Sequence, residues 1–230
     1  MLTMGIDEAG RGAMLGPLVV AGIVVDEQGE KELRRMGVKD SKKLTPKRRE
    51  ELAPKIEAVC KSVLVMRVQP CRIDKLRGEG INLDKIEAIK MAEIISMSDA
   101  DTVFVDSLTH TPKKFMNLIM EHMEGRNPKM NVENYADETY PVVSAASIIA
   151  KVERDAAIDE IKKKVNVDFG VGYSHDKRTI EFVEKLIQTR EPLPSYVRQS
   201  WITTQLLQEA SWQRKLKEFF RKEECGEEIK

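Results

Sequence analysis

The stretch Asp7-Glu8-Ala9-Gly10-Arg11-Gly12 ends a β-like run over residues 2–7, and a second β-like run over residues 18–25 follows Gly16-Pro17. Two apolar strands joined so closely pair as a hairpin. That pairing excludes a dinucleotide-binding turn. Such a turn needs a helix directly after its glycines, so that the helix N-terminus can hold pyrophosphate. Here the glycines lead into Leu18-Val19-Val20, and Asp7 and Glu8 would repel the anion.

Downstream, strand and helix patterns alternate. Thr45-Pro46 opens a helix to about residue 60, with Thr at the N-cap and Pro at the first helical position. Strands are expected over residues 63–68, over 102–105 ending at Asp106, and over 132–136 ending at Asp137. Ile86, Ile89, Ala92 and Ile95 fall on one face of a helix over residues 84–96. Further helices are expected over residues 113–124, 142–165, 179–189 and 195–209, with Glu191-Pro192-Leu193-Pro194 as a linker and a charged tail at the end. An initial antiparallel pair followed by βα alternation gives an α/β fold, a mixed five-stranded sheet flanked by helices with a helical C-terminal extension.

Lysines and arginines equal the acids at 38 each, so the surface as a whole carries no net attraction for a polyanion. The charge is uneven, however. Residues 31–49 hold nine bases against Glu32 and Asp40, which could face a polyanion or could be a solvated helix and loop. No apolar run is long enough for a membrane span, and the N-terminus has no basic leader. Cys60, Cys71 and Cys225 lack zinc spacing and read as free thiols in a reducing cytoplasm. His110, His122 and His175 form no ligand pattern.

Asp7, Asp106 and Asp137 each follow a β-like run. Carboxylates gathered at one sheet edge repel one another unless a cation absorbs the charge, and oxygen donors suit magnesium or manganese. Neighbouring strand residues point to opposite faces, so Glu8 joins Asp7 only if the strand ends near them. Each acid taken singly could equally be a cap or a surface residue, and the residues alone leave both readings open.

Three motifs carry a resemblance. Gly5-Ile6-Asp7-Glu8-Ala9-Gly10-Arg11-Gly12, Asp40-Ser41-Lys42-Lys43-Leu44 and Tyr140-Pro141-Val142-Val143-Ser144-Ala145-Ala146-Ser147-Ile148-Ile149-Ala150-Lys151 together resemble ribonuclease HII, most nearly its archaeal members, over residues 3–205. The resemblance implies a ribonuclease H-like catalytic domain over residues 1–190 and a helical extension with a tail over 191–230. It implies an endonuclease on RNA–DNA hybrids and on single ribonucleotides in duplex DNA. Cleavage would fall on the 5′ side of the ribonucleotide and leave 5′-phosphate and 3′-hydroxyl. Asp7, Glu8, Asp106 and Asp137 would hold two magnesium or manganese ions. A DNA nuclease of the same fold and a non-catalytic hybrid-binding module are the alternatives, and a monomer is expected.

By the same resemblance, Gly10, Arg11 and Gly12 would read the ribose 2′-hydroxyl through the backbone, and Tyr173 would stack on the deoxyribose after the scissile ribonucleotide. Where the family usually has Tyr-Pro-Ser-Asp, this chain has Tyr173-Ser174-His175-Asp176, without the proline's restraint. Ser147 and Lys151, on a polar stripe with Ser144 and Asp155, and Lys42 and Lys43 would contact phosphate. In the tail, Gln213, Leu216, Phe219 and Phe220 resemble the peptide that binds the sliding clamp PCNA.

Overall fold

The structure, a computed structural model, describes residues 1–38, 44–107, 109–189 and 192–224, with the side chains of 215 and 217–224 outside the description. Five strands form one mixed sheet: β1 (Thr3–Ala9), β2 (Leu18–Val25), β3 (Ser62–Val68), β4 (Thr102–Asp106) and β5 (Lys129–Glu133), in the order β3-β2-β1-β4-β5. The first three pair antiparallel, and β1, β4 and β5 run parallel. The expected hairpin is therefore present, with Asp7 opposite Ala21.

Helices cover both faces. Along β1, Met4 and Ile6 point into a cluster with α4 (Leu83–Ser96) and α5 (Pro112–Met120). Residues of the other parity, Gly5, Asp7 and Ala9, face α7 (Pro141–Val165). A Cβ on Gly5 would lie inside the backbone of Val142, so glycine lets α7 sit directly on the strand. Burying side chains such as Ile6, Val103 and Ile148 stabilises the layers by about 1.5–3 kcal/mol each. On the α7 side, α1 (Glu27–Met36) and α2 (Pro46–Val59) complete the layer, and Thr45 caps α2 by accepting from the Arg48 N–H at 3.3 Å. A third cluster lies around Met14, Leu15, Ile158 and Phe169, joined by α8 (Lys177–Thr189).

Several boundaries differ from the sequence expectation. Strand β1 continues through Glu8 to Ala9, because Val20 and Val19 supply ladder partners. Strand β5 stops at Glu133. Tyr135 then turns left-handed (φ 61°), and Asp137 sits in the one-turn helix α6 (Ala136–Thr139) instead of at a strand end. A further helix, α3 (Pro70–Gly78), was not expected. The last helix, α9 (Ile202–Glu224), starts seven residues later than expected and runs on through the tail. Residues 195–201 instead pack irregularly on the body, where Val197 bridges to Leu15. In α1, Lys31, Arg34 and Arg35 pair with Glu27, Glu30 and Glu32, so this part of the basic segment is an internally balanced helix. No helix among the described residues is long and apolar enough to cross a membrane.

Candidate active site

Three acids from three elements meet at the end of the parallel strands. Asp7 comes from β1, Asp106 from the end of the neighbouring β4, and Asp137 from α6, and one carboxylate oxygen of each lies within 4.8 Å of those of the other two. All three are buried, at 4 %, 4 % and 1 % exposure. Strand pairing sets the first two, since Ile6 stands opposite Val105 in the β1–β4 ladder. A hydrogen bond brings the third: the Ala136 N–H donates to Asp106 Oδ1 at 2.8 Å, folding the Tyr135 turn back over the strand end. Asp137 thus lies beside Asp7 and Asp106, but it comes from a one-turn helix and not from the expected strand end.

Burial pushes the Asp7 carboxyl up from its ordinary range, and Asp137 adds to this. Lys151, a hydrogen bond from Ser147 and the Glu8 N–H oppose the rise. Both Ser147 and Lys151 come from α7, and Lys151 donates to the Ser147 hydroxyl. Ser144 and Ser147 are wholly buried, so half of the polar stripe lies under the site. Ser144 donates to the Val38 carbonyl and fixes the helix against the segment after α1.

Glu8 stands just outside the closest grouping of three: its backbone parity is opposite to that of Asp7, yet its carboxyl hydrogen-bonds with the Asp7 carboxyl and it lines the neighbouring cavity. Burial, then Asp7, Glu87 and Asp106, raise its carboxyl well above the usual range, and its Oε2 is buried without a hydrogen-bond partner. Buried, convergent carboxylate oxygens, with Glu8 Oε2 lacking a hydrogen-bond partner beside them, are the donor set that a hard divalent cation takes, so the residues present fit such an ion.

Beside the acids, Gly10 turns the chain with φ 87°. A Cβ there would meet the Pro17 carbonyl at 2.6 Å, whereas a Cβ on Gly12 would meet nothing within 4 Å. Gly12 therefore borders open space, a cavity of about 610 Å³ lined also by Arg49, Lys151, Arg154, Tyr173 and His175. The Arg11 side chain turns away toward α4, where Nη2 meets Asp84 Oδ1 at 2.5 Å and Nη1 meets Glu87. A larger cleft of about 700 Å³ near Met66, Ile89 and His122 contains none of these residues.

Tyr173 stands across the cavity. Its ring lies over the Arg154 guanidinium at 4.3 Å and stacks on His175 at 5.4 Å. The Gly172 carbonyl accepts from Met14 and Leu15 at 2.8 and 3.1 Å, which ties this loop to the one after Gly12. Asp176 ties this loop together: its carboxylate accepts from the Val171 and Arg178 N–H groups at 2.9 and 3.0 Å.

Four cavity or support residues were not singled out from the sequence. Arg198 is completely buried and donates to the carbonyls of Gly10, Arg11 and Gly16 at 2.7, 2.8 and 3.1 Å. Burial pushes it down to about 9, helped by Arg154, so it remains a cation at neutral pH. Arg49 links α2 to Asp155 of α7 at 3.0 Å. Arg154 holds the Val171 carbonyl at 2.8 Å. Glu87 carried a readable signal, since it lies on the buried stripe of α4 with Met91 and Ile94, at helical spacing. Lys42 and Lys43 lie outside the described residues. Gln213 and Leu216 are exposed on α9, and the side chains of Phe219 and Phe220 lie outside the description.

A helix-flanked mixed sheet with buried acids at its parallel edge defines a ribonuclease H-like enzyme. The family model for ribonuclease HII matches residues 4–204. A ribonuclease HII of Methanothermobacter thermautotrophicus is 45% identical over 207 residues, covering 89% of this chain and 98% of its own. The crystal structure of ribonuclease H2 from Pyrococcus horikoshii superposes with a TM-score of 0.84 at 38% identity, covering 91% of this chain and 98% of that one. The ribonuclease HII in a PCNA complex from Archaeoglobus fulgidus gives 0.80 at 41% identity, over 87% and 95%. The chain belongs to the ribonuclease HII family. It is a type 2 ribonuclease H, an endoribonuclease acting on RNA–DNA hybrids.

Proposed function

We propose that this enzyme cuts on the 5′ side of ribonucleotides, single ones in duplex DNA included, and leaves 5′-phosphate and 3′-hydroxyl. The observation that carries the reading is the convergence of Asp7, Asp106 and Asp137 beside a cavity bordered by Gly12 and Tyr173. Asp7, Asp106 and Asp137, with Glu8 reaching from the strand's other face, would hold two magnesium or manganese ions. When bound, these supply Lewis-acid activation of water and stabilise the leaving oxygen.

The chain's own groups prepare that site. Lys151 and Ser147 favour the ionised form of Asp7, the form that can act as a ligand. Lys151 also borders the cavity and can neutralise a phosphate, while Ser147, buried beneath it, acts through the Lys151 ammonium. Lys42 and Lys43 add phosphate contacts. Gly10, Arg11 and Gly12 present main-chain groups to the ribose 2′-hydroxyl, because no side chain stands in front of Gly12. The Tyr173 ring, backed by Arg154, gives a flat face for the sugar that follows.

The tail, through Gln213, Leu216, Phe219 and Phe220, binds a sliding clamp. The exposure of Leu216, 54 %, supports this, as does the clamp complex of the Archaeoglobus relative. The test is a duplex holding one ribonucleotide, incubated with and without divalent metal. Metal-dependent nicking on the ribonucleotide's 5′ side is expected. Cutting of an all-deoxy duplex at the same rate would replace this reading with a DNA nuclease.

A further inference from the structure

A turn flanked by two glycines has little stiffness of its own, so something else must fix it. Here the fixing groups are visible. Arg198 takes the carbonyls of Gly10 and Arg11 from one side. From the other side, Asp84 and Glu87 of α4 take both ends of the Arg11 guanidinium. The two acids stand three residues apart and so share one face of the helix.

Glu87 is an expensive residue in this place. Its side chain is 1 % exposed, and its Oε1 is buried without a hydrogen-bond partner. Met91 and Ile94 fill the same stripe of α4 with apolar groups. A buried carboxyl group with one oxygen unsatisfied is unfavourable relative to such packing. Arg11 is half-buried and could reach water if Glu87 did not hold it.

We infer that Glu87, together with Asp84, is a specificity-determining positioning residue: through Arg11 it sets the Gly10–Gly12 turn at the height where the backbone meets a ribose 2′-hydroxyl. This rests on the proposed reading of the turn. Glu87 touches no substrate. Its effect falls on ribose against deoxyribose discrimination rather than on general duplex binding, which phosphate contacts dominate.

The experiment uses the full chain carrying Asp7→Asn, so that substrate is bound without being cut. Affinity is measured by fluorescence anisotropy for a duplex with one ribonucleotide and for the same duplex in all-deoxy form. The parent should prefer the ribonucleotide duplex. Glu87→Ala should narrow that preference by about tenfold, the loss of a hydrogen bond to a charged group, with all-deoxy affinity held within about twofold, and Arg11→Ala should narrow the preference to the same extent. The Arg11→Ala/Glu87→Ala double variant should be no worse than Arg11→Ala alone, since both act on one contact. Glu87→Gln, which keeps an acceptor, should restore most of the preference. An unchanged preference in folded Glu87→Ala overturns the inference, as does an equal fall in both affinities. Should Glu87→Ala not fold, Asp84→Asn at the half-exposed partner carries the test: narrowing supports it, and no change overturns it. Equal affinity of the parent for both duplexes overturns the reading of the turn itself, and this inference with it.

Discussion

Gly10 and Gly12 are the same residue type with different jobs. Gly10 needs its positive φ and has no room, since a Cβ would press on Pro17 and on Arg154 Cδ at 2.8 Å. Gly10→Ala should therefore cost about 1–3 kcal/mol of stability, seen as a lower denaturation midpoint. Gly12 borders the cavity, so Gly12→Ala should leave the midpoint unchanged and slow cleavage of a single-ribonucleotide duplex by about tenfold. Loss of stability in Gly12→Ala with unaltered cleavage would reverse that assignment. Glu87 offers a pH test. Burial holds its carboxyl at about 8, above the ordinary 4.5, even with Arg11 pulling it down. A raised folded-state value stabilises fully only below about 4.5, and the contribution is lost as pH rises through about 8. In metal-free protein, the melting temperature of the wild type relative to Glu87→Gln should therefore fall between about pH 5 and pH 9. A constant gap would contradict it.

The helices and strands show what a pattern can and cannot convey. Strands β2 and β4 fell where the alternation of apolar runs and turn residues put them, because their ends are marked by Gly16-Pro17 and by Asp106. Helix α2 was legible from its cap. Strand β5 was misplaced because Val132-Glu133-Asn134-Tyr135-Ala136 looks β-like until Tyr135 turns left-handed, a choice made by the Asp106 bond to Ala136 rather than by local preference. The start of α9 was misplaced because Tyr196 and Val197 are buried or half-buried for tertiary reasons. Three of the four candidate acids could be read as a group because each follows a β-like run in the sequence, although only Asp106 ends its strand, β1 running on to Ala9 and Asp137 lying in α6. Arg198 could not, because its partners are carbonyls more than 180 residues away. Contact between α7 and β1 is the element-level fact on which the site depends, as it carries Ser147 and Lys151 to Asp7. Gly5→Ala should push α7 off the strand and cost about 3 kcal/mol or more, measured by chemical denaturation, because backbone rather than a flexible side chain stands in the way. Full stability in that variant would show that α7 can shift freely.

Across the molecule, the proposed catalytic groups lie on the sheet and on α6 and α7, while the proposed clamp contacts lie far along α9. The segment 193–201 belongs with the body, since Leu193 is buried and Arg198 supports the turn. Truncation should therefore begin at Gln213 and not at residue 191. Removing residues from Gln213 onward should abolish binding to a sliding clamp and leave cleavage of short duplexes within about twofold, because no group at the acidic site is lost. Equal clamp affinity after truncation, measured by calorimetry, would refute the tail's role. The account as a whole depends on Asp7, Asp106 and Asp137 acting together through bound cations at one point. The most direct measurement is the rate of nicking of a single-ribonucleotide duplex by wild-type and Asp7→Asn protein in divalent metal. Loss of an outer support to a metal site costs about 10–100-fold, so loss of this ligand should cost more. Metal-dependent nicking that falls by more than a hundredfold in Asp7→Asn, with the fold intact, is the predicted result, and nicking at the wild-type rate would contradict it.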